Sequence, residues 1–322
     1  MSKNTDLTKG GILQKLLYVA APTTATALMQ VIYNLTDMFW LGRLSADDVA
    51  ASGSANMYLW LGMALLIFGR TGAEIGVSQN KGKGDIEAAK AYVQNTILLS
   101  LILGCGFCLI LLLFGSPLIA FLNIQEQHVA TAAISYLKIV GLGVPATYIT
   151  AVITGTFNGS GQSKVPFYIN ALGLLLNMLL NPLIIYYSNL GIVGVATVNT
   201  LAQFTVAAMM VIAIKKHKQR PFEEIKLLAK PDSYKLKQII RWSLPISLES
   251  GFFTVLSMLV ARVIANFGAQ AIAVQRVATQ IESLSWMVGS GFGSAVTLLW
   301  GKTMVRKNGR GLKAVLRLLL LR

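Results

Sequence analysis

The sequence has few charged, metal-binding and disulfide-forming residues for its length. Only 13% of its 322 residues are Asp, Glu, Lys or Arg, whereas soluble domains carry about 25%. Two histidines and two cysteines are too few for a His/Cys metal enzyme or a disulfide framework. Cys105 and Cys108 form a C-x-x-C pair inside an apolar run, so we interpret them as small helix residues rather than a redox site. The apolar segments also contain no cluster of paired acids, histidines or a serine nucleophile. The sequence therefore does not predict an enzyme.

Apolar residues dominate what is present. They make up 54% of the chain, with a mean hydropathy of +0.62, which is more than one soluble core of this size can bury. Crossing the bilayer takes about 20 helical residues. Eight segments meet this requirement, at 14–42, 54–78, 91–114, 131–155, 166–187, 193–214, 238–266 and 272–299. The sequence therefore predicts an all-α, polytopic integral membrane protein.

The net charge of +15 is unevenly distributed along the chain. If the N-terminus is cytoplasmic, most Lys and Arg gather in the inner segments, and segment 115–130 on the outer side has none. This is the positive-inside pattern, and it predicts anionic lipid rather than nucleic acid as the partner of these charges. The inner set is Lys3, Lys9, Lys15, Arg70, Lys81, Lys83, Lys90, Lys164 and nine more at 215–241, and the outer loops hold Arg43 and Arg276.

A polar, basic connector at 215–237 divides the chain, and the sequence then begins to repeat. A shift of 223 residues (245 − 22) aligns Pro22 with Pro245, and also aligns Ala46 with Ala269 and Ala50 with Ala273. Internal repeats are common in transporters. We therefore divide the chain into a six-helix lobe at 1–214, the cytoplasmic connector, the start of a second lobe at 238–299 and a basic tail at 300–322.

Four groups of residues, in this order, resemble the multidrug and toxic compound extrusion (MATE) transporters. They are Pro22 with Gln30-Val-Ile-Tyr-Asn34, Asp37, Leu41-Gly42 and the Ala-rich 46–51; Gly82-Lys-Gly-Asp85 with Ala88 and Ala89; Gly155, Asn158-Gly-Ser-Gly161, Pro166, Asn177 and Asn181-Pro182; and Pro245-Ile-Ser-Leu-Glu249-Ser250 with Ala273-Val-Gln-Arg276. The resemblance covers residues 10–300. It implies a secondary exporter that exchanges small organic cations for Na⁺ or H⁺, without another cofactor, in a bacterial-type inner membrane.

The family usually has twelve helices, so the resemblance implies a complete N-terminal lobe and only the first two helices of the C-terminal lobe. Residues 301–322 carry seven Lys or Arg and no acid, unlike the family's next segment. We therefore expect a truncated product, which is inactive by itself or completed by a second chain that supplies the missing helices.

Asp37 is the principal candidate for coupling. A carboxylate inside a spanning helix is costly in hydrocarbon and usually faces a cavity or a partner. Asn34 and Gln30 share its helix face, and Asn177 and Asn181 lie one turn apart on the fifth predicted span. Asp37, Asn177 and Asn181 form a predicted cation or proton site together with Asn199 and Thr200 of the sixth span. The resemblance places coupling here in one branch, although Asn181 replaces a common acid. The alternatives are that Asp37 reaches the outer interface beside Arg43, and that the amides only join helices.

Glu249, one turn after Pro245, is the second coupling candidate, because the resemblance implies a glutamate at this position in another branch. Its partner acid in that branch comes from a helix that this chain lacks. Weaker candidates for the substrate cavity are Gln30, Tyr33, Asn34, Met63, Glu282 and Trp286.

Two other functions remain open at this point. A lipid-linked oligosaccharide flippase shares the architecture but favours a basic cavity, for which the spans offer only Arg262 and Lys138. The other is a fragment that does not transport.

Overall fold

The computed structural model describes residues 31–32, 35–188, 190–217, 221–222, 225, 231–268, 270–271, 274–275, 277–279 and 281–283. The regular elements in these ranges are helices. They are α1 (35–44), α2 (Ala46–Gly82), α3 (Ile86–Phe121), α4 (Gln127–Leu142), α5 (Val144–Gly159), α6 (Lys164–Tyr187), α7 (Gly191–Lys216) and α8 (Ser233–Ala265). Residues 36–276 form one compact unit. Of the other unit, 1–35 and 277–322, the described residues are a few helical positions.

The predicted spans two to seven correspond to helices of the structure. In the described ranges, five helices are long and apolar enough to cross a membrane, and the bent pair α4–α5 makes a sixth. The first predicted span is described only toward its C-terminal end and the eighth only in short helical pieces, so the number eight stays a prediction.

Two helices extend beyond the predicted spans. Helix α2 begins at Ala46 rather than 54 and continues to Gly82, because Ser45 caps its start and accepts a hydrogen bond from the Asp48 amide at 3.0 Å. Helix α8 begins at Ser233, inside the predicted connector 215–237, because Asp232 caps it and accepts hydrogen bonds from Tyr234 and Lys235 amides.

The fourth span is not one helix, as predicted for 131–155, but two helices that meet at Gly143 with a bend of 46°. Pro145 explains the break, since it has no N–H to donate to the carbonyl of Gly141. The Gly143 amide bonds to Val140 instead of Ile139. The Thr200 hydroxyl of α7 lies 2.9 Å from the released Ile139 carbonyl oxygen and satisfies it.

The glycine-containing turns of the sequence fold as tight connections. Between α2 and α3, Gly84 has φ +81°, a conformation that favours glycine, and Asp85 caps α3 by accepting from the Ala88 amide at 2.9 Å. Gly155 of α5 allows close backbone contact instead. A Cβ atom there would lie 2.4 Å from the Arg70 carbonyl oxygen of α2.

Helix α2 packs against α3, α4, α5 and α8. Its Gly72 meets Ile239 of α8 and its Gly76 meets Tyr92 of α3, which agrees with the role of small residues in membrane helix packing. The connector is not uniformly exposed, because Phe222 is buried in an apolar cluster with Ala73 and Val93.

Candidate cation-coupling site

Asp37 lies in a buried position on α1, where it is 8% exposed. The Asn181 side chain of α6 donates a hydrogen bond from Nδ2 to Asp37 Oδ1 at 3.0 Å. About one turn closer to the C-terminal end of α1, the rings of Trp40 and Tyr186 meet edge to face with centroids 6.0 Å apart. Helix α1 thus contacts α6 at this hydrogen bond and again at the Trp40–Tyr186 ring pair.

The alternative that Asp37 turns toward Arg43 at the outer interface does not fit this structure. The Arg43 guanidinium lies over the Phe39 ring, 5.2 Å from its centroid. Asp37 is directed at the α6 amide instead.

The hydrogen bond to Asp37 is the end of a longer chain of buried amides. Asn181 Nδ2 also donates to Asn177 Oδ1 at 2.9 Å, and Asn177 Nδ2 donates to Asn199 Oδ1 of α7 at 2.6 Å. Asn199 Nδ2 donates in turn to the Tyr136 hydroxyl of α4 at 3.1 Å. The four residues beyond Asp37 are each at most 5% exposed. We call these five residues the Asp37 network.

Local sequence explains how α6 and α7 meet here. Asn177 and Asn181 are four residues apart, so their side chains share one face of α6. Gly173 of α6 lies against Val206 of α7, and Gly194 of α7 lies against Ile184 of α6. These close approaches above and below the amides bring the two backbones near enough for side chains as short as Asn to bond directly.

The Asp37 network contains an unused oxygen. Asn181 Oδ1 is buried and has no hydrogen-bond partner among the described residues. Leaving a buried acceptor unpaired costs about 1–3 kcal/mol, and such an atom next to a carboxylate is suited to bind a cation or a protonated group. The site thus combines one carboxylate with amide and hydroxyl oxygens.

The structure brings together four of the six predicted coupling residues, Asp37, Asn177, Asn181 and Asn199. Thr200 is buried beside them, but its hydroxyl contacts the backbone carbonyls of Ile139 and Ala196. Glu249 is exposed on α8, and no described hydrogen bond connects it to the network.

Of the predicted cavity residues, Met63 is 55% exposed on α2, and Glu282 is exposed in a short helical piece. Gln30, Tyr33, Asn34 and Trp286 lie outside the described residues.

Tyr136 was not predicted from the sequence. An aromatic ring within an apolar segment is ordinary for a packed helix. The Tyr136 hydroxyl joins the Asp37 network only because Asn199, on another helix, donates a hydrogen bond to it. For the bend at Gly143, by contrast, the sequence did hold a signal, the Gly-Leu-Gly-Val-Pro stretch at 141–145.

Comparison with curated proteins finds relatives among multidrug resistance proteins. The chain is 26% identical over 306 residues to a probable multidrug resistance protein NorM of Thermotoga maritima, and the match covers 94% of this chain and 64% of the relative. It is 26% identical over 304 residues to the multidrug resistance protein PmpM of Pseudomonas aeruginosa, covering 91% and 62%. The chain thus spans less than two thirds of the length of these relatives.

Among solved structures, the fold is similar to one described as an inward-facing conformation of a multidrug resistance MATE family transporter. The TM-score is 0.78 at 23% identity, covering 92% of this chain and 68% of that one. At this identity the match shows the fold, an all-helical multi-pass membrane bundle.

The MatE family model matches residues 22–183 and 245–321, which together are more than half of the chain. The two stretches begin at Pro22 and Pro245, the two prolines that the internal alignment pairs. This chain belongs to the MatE family.

Proposed function

We propose that this protein is a secondary active exporter that exchanges organic cations for Na⁺ or H⁺, with the coupling ion bound at the Asp37 network. The observation that carries the proposal is a buried carboxylate beside a buried amide oxygen, Asn181 Oδ1, that has no hydrogen-bond partner in the part of the chain that the structure describes. Sites of this kind occur near the middle of transporter folds built from repeats. The multidrug resistance relatives support the substrate class.

The mechanism follows from competition between ion binding and the internal hydrogen bonds. An ion or proton bound at Asp37 competes with the hydrogen bond that the Asp37 carboxylate accepts from Asn181. This hydrogen bond links α1 to α6. Binding therefore favours one arrangement of α1, and a ligand that favours the other arrangement is coupled to it. Glu249 on α8 is the second proposed coupling residue, with a smaller contribution because it is exposed.

The test is ion-dependent stabilisation of the purified 322-residue protein. A ligand at 100 times its Kd stabilises the state that it binds by about 2.7 kcal/mol. We expect Na⁺ at constant ionic strength, or a fall in pH, to raise the melting temperature of the wild type and not of Asp37→Asn. Choline replaces Na⁺ in the control, and the two arms separate Na⁺ coupling from proton coupling. If neither ion distinguishes the two proteins, Asp37 is not the coupling residue.

We also propose a bacterial-type inner membrane location with a cytoplasmic N-terminus. In support, the described turn at 83–85 lies between Lys81 and Lys90, whereas the loop at 122–126 has no Lys or Arg. Single cysteines at positions 4, 120 and 228, in a background lacking Cys105 and Cys108, test this. Only position 120 should react with an impermeant thiol reagent on intact cells. Labelling at position 228 would contradict the proposed topology.

The lobe division at 214 and 238 and a second chain that supplies further helices are part of the proposal. Expression of residues 1–322 in a strain without its own exporters, with dye accumulation and membrane abundance measured together, tests both. We expect no efflux unless a second polypeptide supplies further helices. The flippase alternative gains no support here, since the Arg262 guanidinium lies over the Phe121 ring and the Lys138 stem lies against Gly115.

A further inference from the structure

Helix α2 has one exposed face that the Asp37 network does not use. Counting 100° per residue, positions 60, 63, 67, 70, 74 and 78 fall within an arc of about 80°. Trp60 is 50% and Met63 55% exposed, Arg70 and Ser78 are exposed, and Ile67 and Glu74 are half-buried. We call these six residues the α2 stripe.

The neighbouring helices show which way the α2 stripe faces. Helix α3 packs on the opposite side of α2, where Phe107, Ser100 and Tyr92 approach Gly62, Gly69 and Gly76. Helix α8 lies on one flank, where Ile239 meets Gly72 and the Ser243 hydroxyl lies 3.4 Å from the Phe68 carbonyl oxygen.

Helix α5 lies on the other flank. A Cβ atom at its Gly159 would be 2.6 Å from the Glu74 carbonyl oxygen. The α2 stripe therefore borders the gap between α5, in the predicted first lobe, and α8, in the predicted second lobe.

Glu74 is the single acid in the α2 stripe. The uncharged run 49–69 crosses the hydrocarbon, and Arg70 is the first charge after it. Glu74 lies one turn, about 6 Å, further toward the inner end. Among the described residues, no hydrogen bond or ion pair engages its carboxylate. Glu74 therefore lies beyond the uncharged run, at the inner end of the space between α5 and α8.

We infer that Glu74 selects positively charged substrates where they enter the α2 stripe from the cytoplasm. This inference rests on the proposed export function and adds a residue to its substrate path. The carboxylate attracts the cation, while Trp60 and Met63 further along provide ring and thioether surfaces suited to flat organic cations. Arg70, one turn away, opposes the cation, so the two charges set the affinity in opposite directions.

The experiment measures binding to the 322-residue protein in nanodiscs of zwitterionic lipid and Na⁺-free buffer. Tetraphenylphosphonium is the cationic probe, and triphenylphosphine oxide is the neutral one of similar shape. We expect Glu74→Gln to weaken tetraphenylphosphonium binding about tenfold without changing triphenylphosphine oxide binding. Arg70→Gln should strengthen tetraphenylphosphonium binding about threefold, which a folding defect would not do.

The matched control is Glu87→Gln, because Glu87 is 84% exposed and pairs with Lys90 at 2.8 Å on α3. It should leave both affinities unchanged. Unchanged tetraphenylphosphonium binding in Glu74→Gln, or an equal loss for both probes, would overturn the inference. A wild type that binds neither probe would overturn it together with the export function. Charge selection at Glu74 without ion-dependent stabilisation would contradict only the proposed coupling.

Discussion

Asp37 on α1 and Glu249 on α8 are both carboxylates within apolar helices, yet their surroundings differ. Asp37 is buried and bonded to a chain of amides from α6 and α7. Glu249 is exposed on a helix that also exposes Phe252, Phe253 and Val263. Whether an intramembrane acid can form a binding site therefore depends on the side chains that neighbouring helices place beside it. The presence of the acid in the sequence does not show whether it is buried and bonded, like Asp37, or exposed, like Glu249.

The largest expected effect compares the two acids directly. Asp37→Asn keeps the side-chain shape but removes the charge that the ion binds, so ion affinity should fall by more than about tenfold, or 1.4 kcal/mol. Glu249→Gln should change it by less than about twofold. Ion titrations of the melting temperature measure both. A larger loss in Glu249→Gln would reverse the comparison and move coupling to α8.

A gain of function sharpens the comparison. Asn181 Nδ2 lies 3.0 Å from Asp37 Oδ1, so Asn181→Asp places a second carboxylate beside the first. Cation affinity rises with the number of charged ligands. We expect Na⁺ affinity to increase several-fold at pH 8. Ser250→Asp on α8 is the control, next to Glu249. An equal increase in the control would mean that any added acid attracts Na⁺.

A smaller effect tests the far end of the Asp37 network. Tyr136→Phe removes the hydroxyl that accepts from Asn199 at 3.1 Å, and hydrogen bonds between membrane helices contribute about 0.6–1.7 kcal/mol. We expect a loss of that size in the free energy of unfolding and weaker ion binding. Tyr187→Phe is the control, since Tyr187 is 85% exposed. If both variants unfold alike, Tyr136 does not position Asn199.

The smallest effect is on α8. The hydrogen bond from the Lys235 side chain, followed by that from its amide, lowers the pKa of Asp232 below the usual aspartate value. A carboxylate with a lowered pKa in the folded state stabilises the fold above its unfolded pKa, and this contribution is lost as the pH falls through the lowered pKa.

Asp232→Asn retains a good N-cap residue but removes the charge. The variant should therefore melt slightly below the wild type at pH 7, and the difference should shrink as the pH falls from 5 to 2. A constant difference across this pH range would show that the charge of Asp232 is not responsible.

Sequence alone determined the class of protein and most of its helices, because the cost of exposing apolar side chains to water and backbone groups to lipid acts locally along the chain. It also identified Asp37, Asn177, Asn181 and Asn199, because polar groups within apolar helices are conspicuous by their type. Helix ends were less predictable, since single caps such as Ser45 and Asp232 fix them.

Only the tertiary structure decided which polar groups meet. The bond from Asn181 to Asp37 joins residues 144 positions apart, and Asn177 reaches Asn199 because Gly173 and Gly194 let α6 and α7 approach. The same packing left Glu249 exposed and placed Glu74 on the open face of α2. Helical periodicity gives the face of one helix, whereas the neighbour of that face depends on how several helices pack together, a property that no single segment contains.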